Sequence, residues 1–315
     1  MIKRKKWPWM VLSAAILLIL AAVAFFPFLQ RAWRALTHTP DENGFYQVNG
    51  YTIEALGDVN EKSLSYFTRK LTEVADGSLT PQNRLFYCVV PDKAYYTQGS
   101  GYPAYPYGQL FSVLQSGLPP SFQYIDITGC LSLESYYRTD SHWRQELLFP
   151  AAAKLAGALG FQPLDETAFS WNEAAGYRGG YARRMDSAET ETLYYLESVA
   201  TKAARVYNAE TGLTGGVYDT DALDGDTPYN VFLSGPAGFL RVENEFSETE
   251  KELVVFRDSY AGSLIPLLLG HYRAVTLIDL RYLPASLLAE YITFTDQDVL
   301  FLYSTFLINK SMTLR

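Results

Sequence analysis

Three short apolar segments near the C-terminus most constrain the fold: residues 253–256 (LVVF), 275–278 (VTLI) and 299–303 (VLFLY). Each is uncharged and too short for a buried helix, the pattern of a strand covered on both faces. Helical stretches separate them, at 264–269 and at 284–294, the second with Pro284 in its first turn. Strands alternating with helices predict a parallel sheet sandwiched between helical layers. Upstream, 85–90 (LFYCVV), bounded by Pro81 and Pro91, and 122–127 read as further strands. Residues 61–77 read as an amphipathic helix, with Leu64, Phe67, Leu71 and Val74 at helical spacing. Residues 143–159 read as mostly helical, interrupted at Pro150 and closed by Gly160. The polar, Gly- and Tyr-rich stretch at about 165–226 reads as an inserted lobe with a helix around 189–207. A short strand at 231–233 precedes the turn Ser234-Gly235-Pro236.

The N-terminus carries a second strong signal. Lys3, Arg4, Lys5 and Lys6 precede an uncharged run over residues 7–29. Roughly 20 apolar residues span a bilayer core, and cations before the run put the N-terminus in the cytoplasm. A cleaved signal peptide ending near Ala22-Val23-Ala24 is the competing reading. The run continues through Leu29, longer than a signal core, so the expectation is a single-pass anchor in membrane lipid. The predicted organisation is a cytoplasmic tail at 1–6, a transmembrane signal anchor at 7–29, a stalk at 30–49 and an extracytoplasmic domain at 50–315.

Charge narrows the partners. The chain has 26 basic and 34 acidic residues, and without the four N-terminal cations the remainder stands at net −12. Nucleic acid demands a basic face, so it is excluded as a partner class. Two cysteines, Cys88 and Cys130, are too few for a disulfide scaffold; one bridge between them or two buried thiols both fit. Only three histidines occur, His38, His142 and His271, which argues against a metal site. No cofactor is expected.

Two segments carry candidate chemistry. In Asp140-Ser141-His142-Trp143 a carboxylate and an imidazole lie two residues apart. Such an Asp can fix the tautomer and leave the far ring nitrogen as a base; an Asp capping a helix near Trp143 fits the spacing too. In Arg257-Asp258-Ser259-Tyr260, Ser259 follows a buried strand and precedes a helix. That turn exposes a hydroxyl at the ligand-binding edge of an α/β sheet, with helix-start N–H groups beside it; a helix N-cap fits the same residues. Tyr102, Tyr105 and Tyr107 are candidates for an exposed, sugar-stacking rim.

Together, the two segments resemble those of the DHHW proteins and the AlgJ/AlgX-like polysaccharide O-acetyltransferases, within the SGNH-hydrolase-like group. Asp140-Ser141-His142-Trp143 is similar to that family's D-x-H-W motif, with Ser141 where the name would have His. Arg257-Asp258-Ser259-Tyr260 is similar to its basic-Asp-Ser-Tyr segment, and Asp279-Leu280-Arg281-Tyr282 and Pro91-Asp92-Lys93 look alike too. The likeness covers roughly 85–305, with 165–226 unmatched. The serine comes after the D-x-H, the reverse of GDS-type hydrolases, and Arg257 stands where those have glycine.

The resemblance implies an SGNH-hydrolase-like, flavodoxin-like three-layer sandwich. It implies Ser259 as nucleophile, His142 as base and Asp140 as its orienter; beside these, the turn at Gly235 is a candidate second oxyanion donor after the Ser259 N–H, Tyr260 a candidate substrate residue, and Arg281 either positions substrate or pairs with Asp279. The implied activity is a serine O-acyltransferase or acetylesterase acting on a cell-envelope or secreted polysaccharide. The implied partners are a glycan acceptor and a multispanning membrane protein that passes the acyl group. A catalytically silent envelope scaffold or carbohydrate-binding protein of the same fold is the alternative, and it predicts Asp140, His142 and Ser259 far apart or misaimed.

Overall fold

The computed structural model describes residues 36–247 and 249–315, and, between 16 and 33, only Ile16, Ile19, Leu20, Val23, Phe25, Phe26, Leu29, Gln30, Ala32 and Trp33. Most of the expected anchor at 7–29 lies outside these residues. Among the described residues no helix is long and apolar enough to cross a membrane.

Twelve strands are described. They are β1 Phe45–Val48, β2 Tyr51–Glu54, β3 Arg84–Val90, β4 Phe122–Tyr124, β5 Ser170–Tyr177, β6 Glu191–Glu197, β7 Arg205–Asn208, β8 Leu213–Gly215, β9 Phe239–Glu243, β10 Glu252–Arg257, β11 Ala274–Ile278 and β12 Asp298–Ser304. Eight form the central sheet, in the order β4-β3-β12-β10-β11-β9-β7-β8. The first five run parallel, and β10 sits between β11 and β12 in register (Val255 opposite Leu277 and Leu300). From β11 outward the sheet turns antiparallel through β9, β7 and β8. The expected parallel sheet is therefore a mixed one. Its antiparallel edge has a physical signature: along β9, Leu240 and Val242 are buried while Arg241 and Glu243 face outward, the alternation of a strand covered on one side.

Side chains alternate along the central strands and divide the core. Cys88 and Val90 of β3, Val255 of β10 and Leu302 of β12 face a layer containing helix α3 (Phe149–Leu159) and the segment 261–269. Val89, Phe256 and Phe301 face helices α1 (Glu61–Ser78) and α2 (Tyr107–Gly117). Helix α1 begins at Asn60, whose side chain accepts the Ser63 N–H, and buries Leu64, Phe67, Leu71 and Val74 as one stripe. Each such burial stabilises by about 1.5–3 kcal/mol. The result is three layers of mixed α/β structure.

Several local expectations change. The helix expected around 189–207 is strand β6, one short turn of helix at Val199–Ala203 and strand β7. Strand β6 pairs with β5 in a separate hairpin, whereas β7 and β8 extend the main sheet. Residues 143–148 are not helical except for the 3-10 turn Gln145–Leu147, and α3 starts at Phe149 with Pro150 in its first turn. The expected strand at 231–233 is a 3-10 turn, Pro228–Val231, followed by a single bridge from Phe232 to Tyr218. Cys88 is buried, Cys130 is half-buried, and they are not bonded. Tyr105 and Tyr107 are buried rather than on a rim: their hydroxyls donate to Asn309 and Asp92.

Candidate active site

The carboxyl ends of β3, β10 and β12 meet where the sheet's connections diverge, the place where open α/β sheets bind ligands. At the end of β10, Asp258 closes the turn: one carboxylate oxygen accepts the Tyr260 N–H at 3.1 Å and the other accepts the Ser304 N–H at 2.8 Å. The capping role falls to Asp258, which leaves the Ser259 hydroxyl free of it. Ser259 Oγ lies 2.8 Å from His142 Nε2, and His142 Nδ1 lies 2.6 Å from Asp140 Oδ1. The structure thus brings together side chains from two segments, with His142 and Ser259 117 residues apart in sequence.

Asp140 is buried and accepts from several sides. Oδ1 takes the His142 ring and backbone N–H groups, and Oδ2 takes the Tyr177 hydroxyl at 2.8 Å and the Gly180 N–H at 2.5 Å. Burial by itself would push this carboxyl up. The facing His142 and these hydrogen bonds outweigh it and hold the group well below the usual carboxylate range. An ionised Asp140 accepts only, so His142 Nδ1 donates and Nε2 is left to accept from the Ser259 hydroxyl. The donors from Tyr177 and Gly180 depend on a close approach at Gly179, where an added Cβ would sit 2.3 Å from the Thr139 carbonyl oxygen.

Trp143 locks the two segments together. It is fully buried, and Nε1 donates to the Tyr260 carbonyl at 3.1 Å and to Ser263 Oγ at 2.8 Å. Tyr260 reciprocates through its hydroxyl, which donates to the Ser141 carbonyl at 2.9 Å. Lys93, just past β3, is buried and donates to the Tyr137 carbonyl at 3.0 Å, behind the Asp140 segment. Burial pushes its ammonium down to about 7, against the pull of Asp140, Glu191 and Asp92.

A cavity of about 330 Å³ opens on one side of Ser259, between His142, Arg183, Asn230, Pro236 and Arg257. Another of about 350 Å³ continues on the other side, toward Arg281, Phe306 and Lys310. Of the expected substrate residues, Tyr260 and Arg281 border the second cavity and Gly235 the first. Gly235 does not offer its N–H as an oxyanion donor, because that group donates to the Phe232 carbonyl at 3.1 Å. Its carbonyl accepts from the buried Arg257 at 3.2 Å. Arg281 is paired with the fully buried Asp279, Nη2 to Oδ2 at 2.6 Å. Among the described residues no group of three or more metal-ligating side chains occurs.

Sequence reasoning missed Tyr177, Gly180 and Tyr229. Tyr177 and Gly180 come from the polar stretch after residue 165, where no motif marks them. Tyr229 stacks on the His142 ring, centroids 3.9 Å apart and planes 17° from parallel. The Asp140-to-Ser259 geometry stands on the carboxyl edge of a sheet with helical layers on either face, and the overall fold is similar to that of solved structures. A DHHW family protein from Eubacterium siraeum superposes with a TM-score of 0.69 over 85% of this chain and 93% of that one, at 18% identity. In fold, the chain is similar to the DHHW protein. PatB1 of Bacillus cereus, solved with a sulfonyl adduct, gives a TM-score of 0.63 at 15% identity, over 84% of this chain and 95% of that one. The O-acetyltransferase domain of AlgJ from Pseudomonas putida gives 0.48 at 14% identity, over 84% and 92%. No family model and no curated protein matches the sequence.

Proposed function

We propose that the chain is a serine acyl-transfer enzyme, an O-acyltransferase or acetylesterase that moves an acetyl-type group on a cell-envelope or secreted polysaccharide. The observation that carries this reading is the unbroken hydrogen-bond chain from Asp140 through His142 to Ser259 at the mouth of a cleft. In the proposed reaction, Ser259 Oγ attacks the acyl carbonyl carbon as His142 Nε2 takes the hydroxyl proton. The carbonyl π electrons move onto oxygen. Collapse re-forms the carbonyl, breaks the bond to the donor's leaving oxygen, and returns the proton to that oxygen from His142. A sugar hydroxyl or water then repeats the sequence on the Ser259 ester. The Ser259 N–H donates to no acceptor among the described residues, so it is available to the oxyanion.

The glycan acceptor is supported by the likeness of the Asp140–Trp143 and Arg257–Tyr260 segments to those of polysaccharide O-acetyltransferases. Membrane attachment is supported by the cations at Lys3–Lys6 ahead of an uncharged run. An anchored domain of this kind would receive its acyl group from a multispanning partner.

The reading is tested with purified protein, p-nitrophenyl acetate and a sulfonyl fluoride. Acetyl or sulfonyl mass on Ser259, absent from Ser259→Ala, is the expected result. Equal background hydrolysis by both proteins and no adduct would leave a silent scaffold of the same fold.

A further inference from the structure

The triad explains how His142 is oriented along its hydrogen bonds, but not what meets its faces. One face is covered by Tyr229, on the turn Pro228–Val231, in near-parallel contact at 3.9 Å. Such contact places the electron-rich face of a phenol against a ring that becomes a cation on taking the Ser259 proton. The placement is not loose packing. The Tyr229 hydroxyl lies 2.8 Å from Ser263 Oγ, and Ser263 Oγ also accepts the Trp143 indole N–H at 2.8 Å. The Ser263 carbonyl accepts Gln145 Nε2, also at 2.8 Å. One hydroxyl, three residues past Tyr260, therefore ties the stacked ring to the tryptophan beside His142. Burial pushes the Tyr229 phenol up, so it stays neutral and the ring adds no negative charge of its own.

We propose that Tyr229 is a positioning residue for the base. Its ring holds His142 in the plane shared by Asp140 and Ser259 and stabilises the imidazolium that forms when Ser259 attacks. The inference rests on the acyl-transfer reading of the same site. Other groups also face His142. Asp140 does so on its own segment, and Ser259 and the ring of Tyr260 (5.1 Å, tilted 48°) do so from the end of β10. Arg183 and Glu54 line the cavity, and Lys93 stands behind Asp140. All of these are untouched by substitution at 229.

The test replaces Tyr229 by Phe and then by mono-, di- and trifluorophenylalanine, a series that keeps the ring's shape while draining its face of electrons. Phe keeps the ring but loses the tie to Ser263, so it is the reference against which the fluorinated rings are read. Across the fluorinated series kcat/KM should fall in steps, about tenfold in all. The acid limb of its pH profile should move to lower pH, because the protonated ring loses its support. Tyr229→Leu should lose at least as much. A flat fluorine series with unmoved acid limbs, in proteins that still acquire the sulfonyl label on Ser259, would overturn the role of Tyr229 alone. Absence of any label on Ser259 in the unsubstituted protein would overturn the acyl-transfer reading, and this inference with it.

Discussion

A buried lysine under the site should write its proton into the stability of the fold. Lys93 is 2% exposed, with its Nζ on the Tyr137 carbonyl and 4.8 Å from the centre of the Tyr181 ring. Burial lowers its pKa to about 7, whereas in the unfolded chain it is ordinary, about 10.4. Between those values the unfolded chain holds the extra proton, so stability must rise with pH from about 7 to about 10. Below 7 both states are charged and the full penalty applies. At 1.36 kcal/mol per pH unit the penalty is on the order of 4–5 kcal/mol. Lys93→Met removes it and also removes a donor from the Tyr137 carbonyl, which costs about 1–3 kcal/mol at any pH. Urea unfolding at pH 6, 8 and 10 separates the two. The methionine variant should gain on wild type at pH 6 and lose that advantage by several kcal/mol at pH 10. A difference that stays constant across that range would refute the reasoning, because the carbonyl and the nearby carboxylates would then hold the lysine at its ordinary pKa.

Asp140→Asn should lower kcat by about 10³–10⁴ with little change in KM, since the tautomer of His142 is no longer imposed; kinetics on an activated acetyl ester decide it, and a loss under tenfold would remove Asp140 from the mechanism. Arg281→Ala should cost about 3–5 kcal/mol in stability, because Asp279 is left fully buried without its bidentate partner. A melting curve shifted down by roughly 5–10 °C with KM unchanged is expected; an unshifted melt with a raised KM would make Arg281 a substrate contact instead.

The parts of the site that could be read in advance are those where one residue type does one job at short range. Asp140 and His142 are two apart, and the turn between them lets the same carboxylate take both the ring and the backbone N–H. Ser259 follows a strand whose uncharged run marks it as central. The stretch from 165 to 226 resisted because its residues serve partners far away. Tyr177 and Gly180 reach Asp140, 37 and 40 residues back. Gln145 Oε1 accepts the N–H of Leu196, 51 residues on. The helix expected around 189–207 is not there; the buried positions of strand β6, Leu193 and Leu196, fall three apart, a spacing that a helix face shares.

Local chemistry along the chain determined the central strands, the amphipathic stripe of α1, the serine at the end of β10 and the Asp-His pair. Period, apolar run length and nearest-neighbour spacing are properties of short segments. The tertiary structure decided that β9, β7 and β8 join the sheet antiparallel, that the Gly235 N–H is spent on its own turn, and that Tyr229 covers the His142 ring. These depend on which surfaces meet when the layers close. Burial then selects the hydrogen bonds that pair Asp140, His142 and Trp143 with partners from distant segments.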